Sequence, residues 1–228
     1  TQEIEPFESL KEKFSNWNEI PTYGINEIEK IINHISQIIS ETVQNIRGLV
    51  LTGGQSTRMG KDKSELYYHG KPQKEFVKNL LEEEGIKTHY SVQVNNKKED
   101  EIHDVFLNLG PFGGICSAFQ KDPNSAWIVL ATDLPFLDKN LIKLLLEKRN
   151  PAKVATAVIG KGKQFPEPLI TIYEPKAYSI LLQYLAQGYS CPRKMLINSD
   201  IEILEVDDNL IQNINTPEEY AAAIKELN

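Results

Sequence analysis

Cysteine is scarce: the 228 residues hold two, Cys116 and Cys191. Two thiols cannot build a disulfide framework, and they lack metal-site spacing, so a reducing, cytoplasmic compartment is expected. Long apolar runs are missing as well. No stretch approaches the roughly 20 residues that cross a bilayer, so no membrane partner is expected. No charged-then-apolar leader opens the chain. It begins at Thr1 instead of Met, which leads to the expectation that an original N-terminus has been removed. An excess of positive charge is also absent. Lys and Arg number 25 against 32 Asp and Glu, a formal net charge of −7, with both signs interspersed. This argues against a nucleic-acid partner and makes any local cluster of cations informative.

What is present is the composition of a globular chain, 40% hydrophobic and 25% charged. Its length suits one large domain or a domain with an appendage. Residues 1–24 are polar, with scattered apolar positions. From Asn26 the pattern becomes regular: Ile28, Ile31, Ile32, Ile35, Ile38, Ile39 and Val43 recur at three- and four-residue spacing. This predicts a helix of about five turns, with Asn26 as N-cap and Glu29 three residues later. Its apolar face needs a cover: the following domain, a second subunit, or a preceding domain of which it is the tail. The expected organisation is a helical extension over 1–45 and one compact domain over 46–228.

Within 46–228, apolar strands and amphipathic helices alternate. Strands are expected at Ile46 to Thr52, Thr88 to Val94, Ile102 to Leu107 and Trp127 to Ala131, with a short extended segment at Glu65 to Tyr68. Helices are expected around Phe76 to Leu81, from about Gly114 to Gln120, and over Leu141 to Lys148. Such alternation predicts a mostly parallel α/β sheet with helices on both faces. In these sheets ligands bind beyond the carboxyl ends of the strands. Three strands stop there on distinctive residues: Gly53-Gly54, Asn95 and Asp133. The second half adds strands at Val154 to Ile159, Leu169 to Tyr173 and Ile201 to Val206. Helices follow at Tyr178 to Leu185 and Arg193 to Ile197, and a last one is capped by Thr216 with Pro217 behind it.

The most informative stretch is Leu51-Thr52-Gly53-Gly54-Gln55-Ser56-Thr57-Arg58-Met59-Gly60-Lys61-Asp62-Lys63. A strand that runs into paired glycines leaves backbone N–H groups exposed in a concavity suited to phosphate oxygens. Arg58, Lys61 and Lys63 add positive charge beside it. The loop is not a Walker A motif: five residues part Gly54 from Gly60, and Asp62 follows Lys61. The dinucleotide pattern G-x-G-x-x-G is absent too.

The full string resembles the signature of the MobA-like nucleotidyltransferases, those related to molybdenum cofactor guanylyltransferase, which reads roughly L-A-G-G-x-S-x-R-M-G-x-D-K. Thr52 stands where Ala is usual. Downstream, Gly110-Pro111-Phe112-Gly113-Gly114 resembles the family's G-P-L-x-G, and Thr132-Asp133-Leu134-Pro135-Phe136 its C-D-x-P-[FY], with Thr132 in place of Cys. Glu167-Pro168-Leu169 and Ile214-Asn215-Thr216-Pro217-Glu218-Glu219 also have counterparts. The likeness covers about 46–226 and leaves 1–45 aside.

The resemblance implies a Rossmann-like sheet of the nucleotide-diphospho-sugar transferase type. It implies transfer of GMP from GTP to the phosphate of molybdenum-molybdopterin, with Mg²⁺ as cofactor and Mn²⁺ as a substitute. Asp133 would bind the metal, helped by Asn215. Lys63 would contact the nucleotide phosphates and Arg58 the departing pyrophosphate. Leu51, Thr52, Gly53 and Gly54 would lie along the nucleotide, with Asn95 and Asp104 completing its site. Arg193 and Lys194 are candidates for the acceptor's phosphate, or form a basic surface turn. The expected partners are GTP, a molybdopterin-type acceptor and other molybdenum cofactor biosynthesis proteins, with the chain monomeric or weakly self-associating. A related cytidylyl- or sugar-phosphate nucleotidyltransferase is the alternative, as is a catalytically idle nucleotide-binding subunit.

Overall fold

Seven strands build one sheet in the order β3-β2-β1-β4-β6-β5-β7. They are β1 Ile46–Leu51, β2 Thr88–Val92, β3 Glu101–His103, β4 Ala126–Ala131, β5 Ala155–Gly160, β6 Glu167–Tyr173 and β7 Glu202–Val206. The computed structural model describes residues 20–43, 45–52, 63–93 and 98–227. β1 runs parallel to β2 and β4, β2 to β3, and β5 to β7. β6 is antiparallel to both β4 and β5. The six residues between β5 and β6 are too few for the crossover that a parallel pair requires, so the chain folds straight back.

The strands alternate their side chains between two buried faces, as expected for a sheet covered on both sides. Val50, Ile128, Leu130 and Ile172 pack with Val77 and Leu81 of α2 (Gln73–Glu82) and Ile142 and Leu145 of α4 (Lys139–Glu147). Leu49, Leu51, Trp127 and Val129 face the other way, against Phe112, Ile115 and Phe119 of α3 (Pro111–Lys121). Leu181 of α5 (Ala177–Ala186) and Met195 of α6 (Pro192–Ile197) complete that layer. A smaller cluster of Tyr68, Ile214 and Ala223 seats the last helix, α7 (Pro217–Leu227).

The chain divides into two units, Thr1–Glu41 and Thr42–Asn228. Helix α1 (Ile28–Val43) begins in the first unit, after Glu27, whose carbonyl accepts the Ile31 N–H and whose carboxylate accepts the Gly24 N–H. Glu27 therefore holds the cap position expected for Asn26. Ile25, Ile28, Ile32, Ile35 and Ile38 are exposed.

Three other expectations are corrected. Helix α3 starts at Pro111, not near Gly114, because Gly110 turns the chain at φ +56° and Pro111 takes the first helical position. The strand expected over Ile102 to Leu107 is confined to Glu101–His103, where the turn at Asp104 ends the ladder. The segment expected to be extended from Glu65 is a 3₁₀ turn over Lys63–Glu65, followed by a single bridge between Tyr67 and Pro72.

Gly113 allows the first turn of α3 to press onto residues 104–106. A Cβ there would lie 2.3 Å from the Phe106 carbonyl oxygen, a backbone atom with no rotamer to escape into. Gly113→Ala is expected to destabilise the protein by about 1–3 kcal/mol through overpacking, despite the better helix propensity of Ala. Urea unfolding checks this, and a neutral or stabilising result would contradict it.

Candidate active site

The carboxyl ends of β1, β2 and β4 form one rim. Leu51 is in register with Ser91 on one side and Ala131 on the other. The next residues are tied across the strands: Thr52 Oγ1 donates to the Ser91 carbonyl at 2.6 Å, and Thr132 Oγ1 to the Leu51 carbonyl at 3.4 Å. These threonines occupy two of the positions where the sequence departs from the family pattern. Each hydroxyl holds two strand ends together where a loop must leave the sheet.

That loop, residues 53–62, lies outside the described residues, and with it Gly53, Gly54 and Arg58. Asn95 also lies outside them. Lys63 opens the 3₁₀ turn on which the described chain resumes.

Asp133 lies two residues past the end of β4 and is half-buried. Its carbonyl accepts the Ile214 N–H at 2.8 Å, which brings residue 214 and its neighbour Asn215 to the end of β4. The segment is fixed from the far side by a capping box. Glu219 Oε2 accepts the N–H groups of Asn215 (2.6 Å) and Thr216 (3.1 Å), while Thr216 Oγ1 accepts the Glu219 N–H at 3.2 Å. Asp133 and Asn215, 82 positions apart in sequence, thus share one rim.

Sequence reasoning missed Tyr68, which lies beneath this pair, only 5% exposed and edge-on to Tyr220 at 5.0 Å. Its hydroxyl is pushed well above the ordinary tyrosine range, first by burial and then by Tyr220, Asp133 and Glu219. It stays a neutral O–H at any physiological pH. Nothing in the sequence around Tyr68 signalled this, since its neighbours over the site come from 65 and more residues away.

Asp104 is buried in a polar knot of its own. Its Oδ1 accepts the Phe106 N–H at 3.0 Å and lies 2.9 Å from Ser117 Oγ, which in turn accepts the Val105 N–H. Asp104 also lines a small cavity with Leu51, Ser91 and Gly110. Arg193 is held at the start of β6, Nη2 on Glu167 at 3.0 Å and Nε on the Pro166 carbonyl at 3.3 Å. Because β6 is antiparallel, its start lies at the same edge of the sheet as Asp133.

The donors available at the rim for the metal implied by the resemblance are the Asp133 carboxylate and the amide of Asn215, one residue along from Ile214. Among the described residues no three His, Cys, Asp or Glu side chains gather into a metal cage. A zinc centre needs three or four such protein ligands. Mg²⁺ takes one or two carboxylates and completes its shell with phosphate oxygens and water, so the donors fit that ion.

Comparison with known proteins now decides the family. The model of the MobA-like NTP transferase domain matches residues 48–201. The chain belongs to the MobA-like NTP transferases. A molybdenum cofactor guanylyltransferase of Xanthomonas euvesicatoria is 30% identical over 78% of this chain and 94% of its own length. A molybdenum cofactor biosynthesis bifunctional protein of Synechocystis is 31% identical over 76% of this chain, but the match spans only 52% of that protein. The crystal structure of molybdopterin-guanine dinucleotide biosynthesis protein A from Archaeoglobus fulgidus superposes with a TM-score of 0.64 at 26% identity, covering 79% of this chain and 97% of the other. A CTP:phosphocholine cytidylyltransferase from Streptococcus pneumoniae shares the fold at a TM-score of 0.55 and 15% identity. The MobA-like chain is therefore a nucleotidyltransferase on a mostly parallel sheet, as its motifs imply. No helix among the described residues is long and apolar enough to cross a membrane.

Proposed function

We propose that this chain transfers GMP from GTP to the phosphate of molybdenum-molybdopterin, with release of pyrophosphate, in a cytoplasmic step of molybdenum cofactor biosynthesis. The observation that supports this reading is the bond from the Ile214 N–H to the Asp133 carbonyl, which sets Asn215 one residue along from the strand end next to the one that feeds the glycine loop. The guanylyltransferase names of the relatives support the choice of nucleotide and acceptor.

The acceptor phosphate is already ionised, so the transfer needs no general base, and catalysis rests on positioning and charge neutralisation. Backbone groups from Leu51 to Gly54 would lie along the nucleotide, with Asn95 and Asp104 bordering it. Lys63 would neutralise the phosphates of the bound nucleotide, and Arg58 the pyrophosphate as it leaves. Asp133, with Asn215 beside it, would hold Mg²⁺, or Mn²⁺ in its place. When bound, the ion withdraws charge from the phosphate oxygens. Tyr68, kept neutral, would limit the conformations open to Asp133. Residues 1–45 are read as a helical extension on the transferase domain of 46–228, a reading supported by the division of the chain at Glu41.

Pyrophosphate release in the presence of Mg²⁺ and molybdopterin tests this. GTP is expected to turn over at least roughly tenfold faster than CTP, since a site built to hydrogen-bond one base rejects another. Chelation of the metal is expected to stop turnover. A preference for CTP would move the chain to the cytidylyl branch. No turnover with a competent acceptor would make it a binding subunit.

A further inference from the structure

Asp133 stands on an irregular connection, residues 132–138, between β4 and α4. A side chain there is only as well placed as its backbone, because neither a ladder nor a helix fixes it. Three successive carbonyls of this connection are held by residues 61 or more positions away. The Asp133 carbonyl accepts the Ile214 N–H at 2.8 Å. The Leu134 carbonyl accepts Gln73 Nε2 at 3.1 Å, besides a long 3.5 Å bond from the Leu137 N–H. The Pro135 carbonyl accepts His69 Nε2 at 2.8 Å, which puts a proton on that nitrogen.

Gln73 and His69 are delivered by one turn, closed by the bridge between Tyr67 and Pro72. Gln73 opens α2, its backbone N–H on the Leu66 carbonyl at 2.8 Å, and is completely buried. Glutamine is mostly an exposed residue. Here its Oε1 has no hydrogen-bond partner, so the amide carries an uncompensated desolvation cost. A leucine would avoid that cost, on a helix face that already buries Val77, Leu80 and Leu81. What the leucine would lose is the bond to the Leu134 carbonyl. His69 is braced as well, its ring stacked on Phe76 with centroids 3.7 Å apart.

We infer that Gln73 and His69 are positioning residues, which set the Asp133 carboxylate toward a nucleotide-bound divalent cation by fixing the Leu134–Pro135 backbone. This deepens the proposed function and rests on its metal-holding reading of Asp133. Both side chains act through the backbone and touch neither nucleotide nor metal. Groups that orient a metal ligand change metal affinity by about 10–100-fold when they are removed.

The test is calorimetric titration of GTP into the full chain, with and without Mn²⁺ and with no acceptor present. The factor by which Mn²⁺ tightens GTP binding measures how well the carboxylate meets the metal. Gln73→Met/His69→Phe keeps the bulk and the stacked ring but removes both donors. In it that factor is expected to fall about tenfold, while metal-free GTP binding changes by less than about twofold. His69→Gln, which returns an N–H near the place of Nε2, is expected to keep more of the factor than His69→Phe. Arg149→Ala, which breaks the ion pair with Glu174 at the opposite edge of the sheet, is expected to keep all of it. A parent-like factor in the double variant, or an equal loss in Arg149→Ala, would overturn the inference. Asp133→Ala separates it from the reading on which it rests. Loss of the factor there but not in the double variant refutes the positioning role alone, and a parent-like factor in Asp133→Ala refutes both. Should the double variant not fold, His69→Phe alone, at a half-buried position, is expected to lower the factor about threefold and carries the same outcomes.

Discussion

Asp133→Ala is expected to lower metal-dependent nucleotidyl transfer by roughly 10³-fold or more in kcat, about 4 kcal/mol of barrier. The fold is expected to stay intact, for a local reason. The tie between β4 and the 213–216 segment runs through the Asp133 carbonyl, which accepts the Ile214 N–H whatever side chain residue 133 carries. Thr132 keeps its bond to Leu51, and the Glu219 capping box is untouched. What the variant removes is a carboxylate at the rim, a strong anionic donor for a hard cation. Pyrophosphate release and thermal unfolding of the same sample separate the two effects. An Asp133→Ala protein with wild-type turnover would falsify the metal-holding role. A protein that loses activity because it no longer unfolds cooperatively would show that residue 133 is structural. Asp133→Asn, which keeps shape and one oxygen but loses the charge, is expected to fall between the two.

The sequence made Asp133 conspicuous because an unbroken apolar strand stops on it, and position at a strand's carboxyl end is readable from pattern alone. The glycine loop was legible for a different reason, a long specified string. Neither pattern could show that Ile214 would bond to Asp133, since that contact spans 81 positions and depends on how α7 packs on Tyr68. The same holds for Asp104 and Ser117, whose pairing needs α3 to lie across the end of β2. The start of α3 was misplaced because Gly113 and Gly114 read as loop residues. In the fold they are buried helical positions where a side chain would collide with strand ends and the 104–106 turn. Propensity gave way to tertiary approach. The antiparallel course of β6 left no mark in periodicity, which is the same for a buried strand of either direction. Only the short β5–β6 connection could have shown it.

The second large effect lies away from the rim. Arg149, just past α4, grips Glu174 with two parallel bonds, Nε to Oε1 at 2.8 Å and Nη2 to Oε2 at 2.9 Å. Glu174 is 1% exposed, and its backbone ties β5 to α5 by accepting the Ala177 N–H and donating to the Val154 carbonyl. Arg149→Ala leaves that carboxylate buried without its fork, a cost of about 3–5 kcal/mol. For a domain of this size each kcal/mol moves the midpoint by about 2–4 °C, so the thermal transition is expected to fall by roughly 6–20 °C. Arg149→Lys keeps the charge but not the planar two-pronged geometry, and an intermediate loss is expected. The informative variant is the double replacement Arg149→Met/Glu174→Leu. Removing both charges at once eliminates the desolvation cost together with the attraction, so it is expected to lie closer to the parent than Arg149→Ala does. If the single variant unfolds within about 1 kcal/mol of the parent, the pair is an ordinary surface contact and the argument fails. Because β6 runs antiparallel to β4, Glu174 sits at the amino edge, opposite Asp133. Transfer measured well below the lowered midpoint should therefore be unchanged in Arg149→Ala, where Asp133→Ala abolishes it.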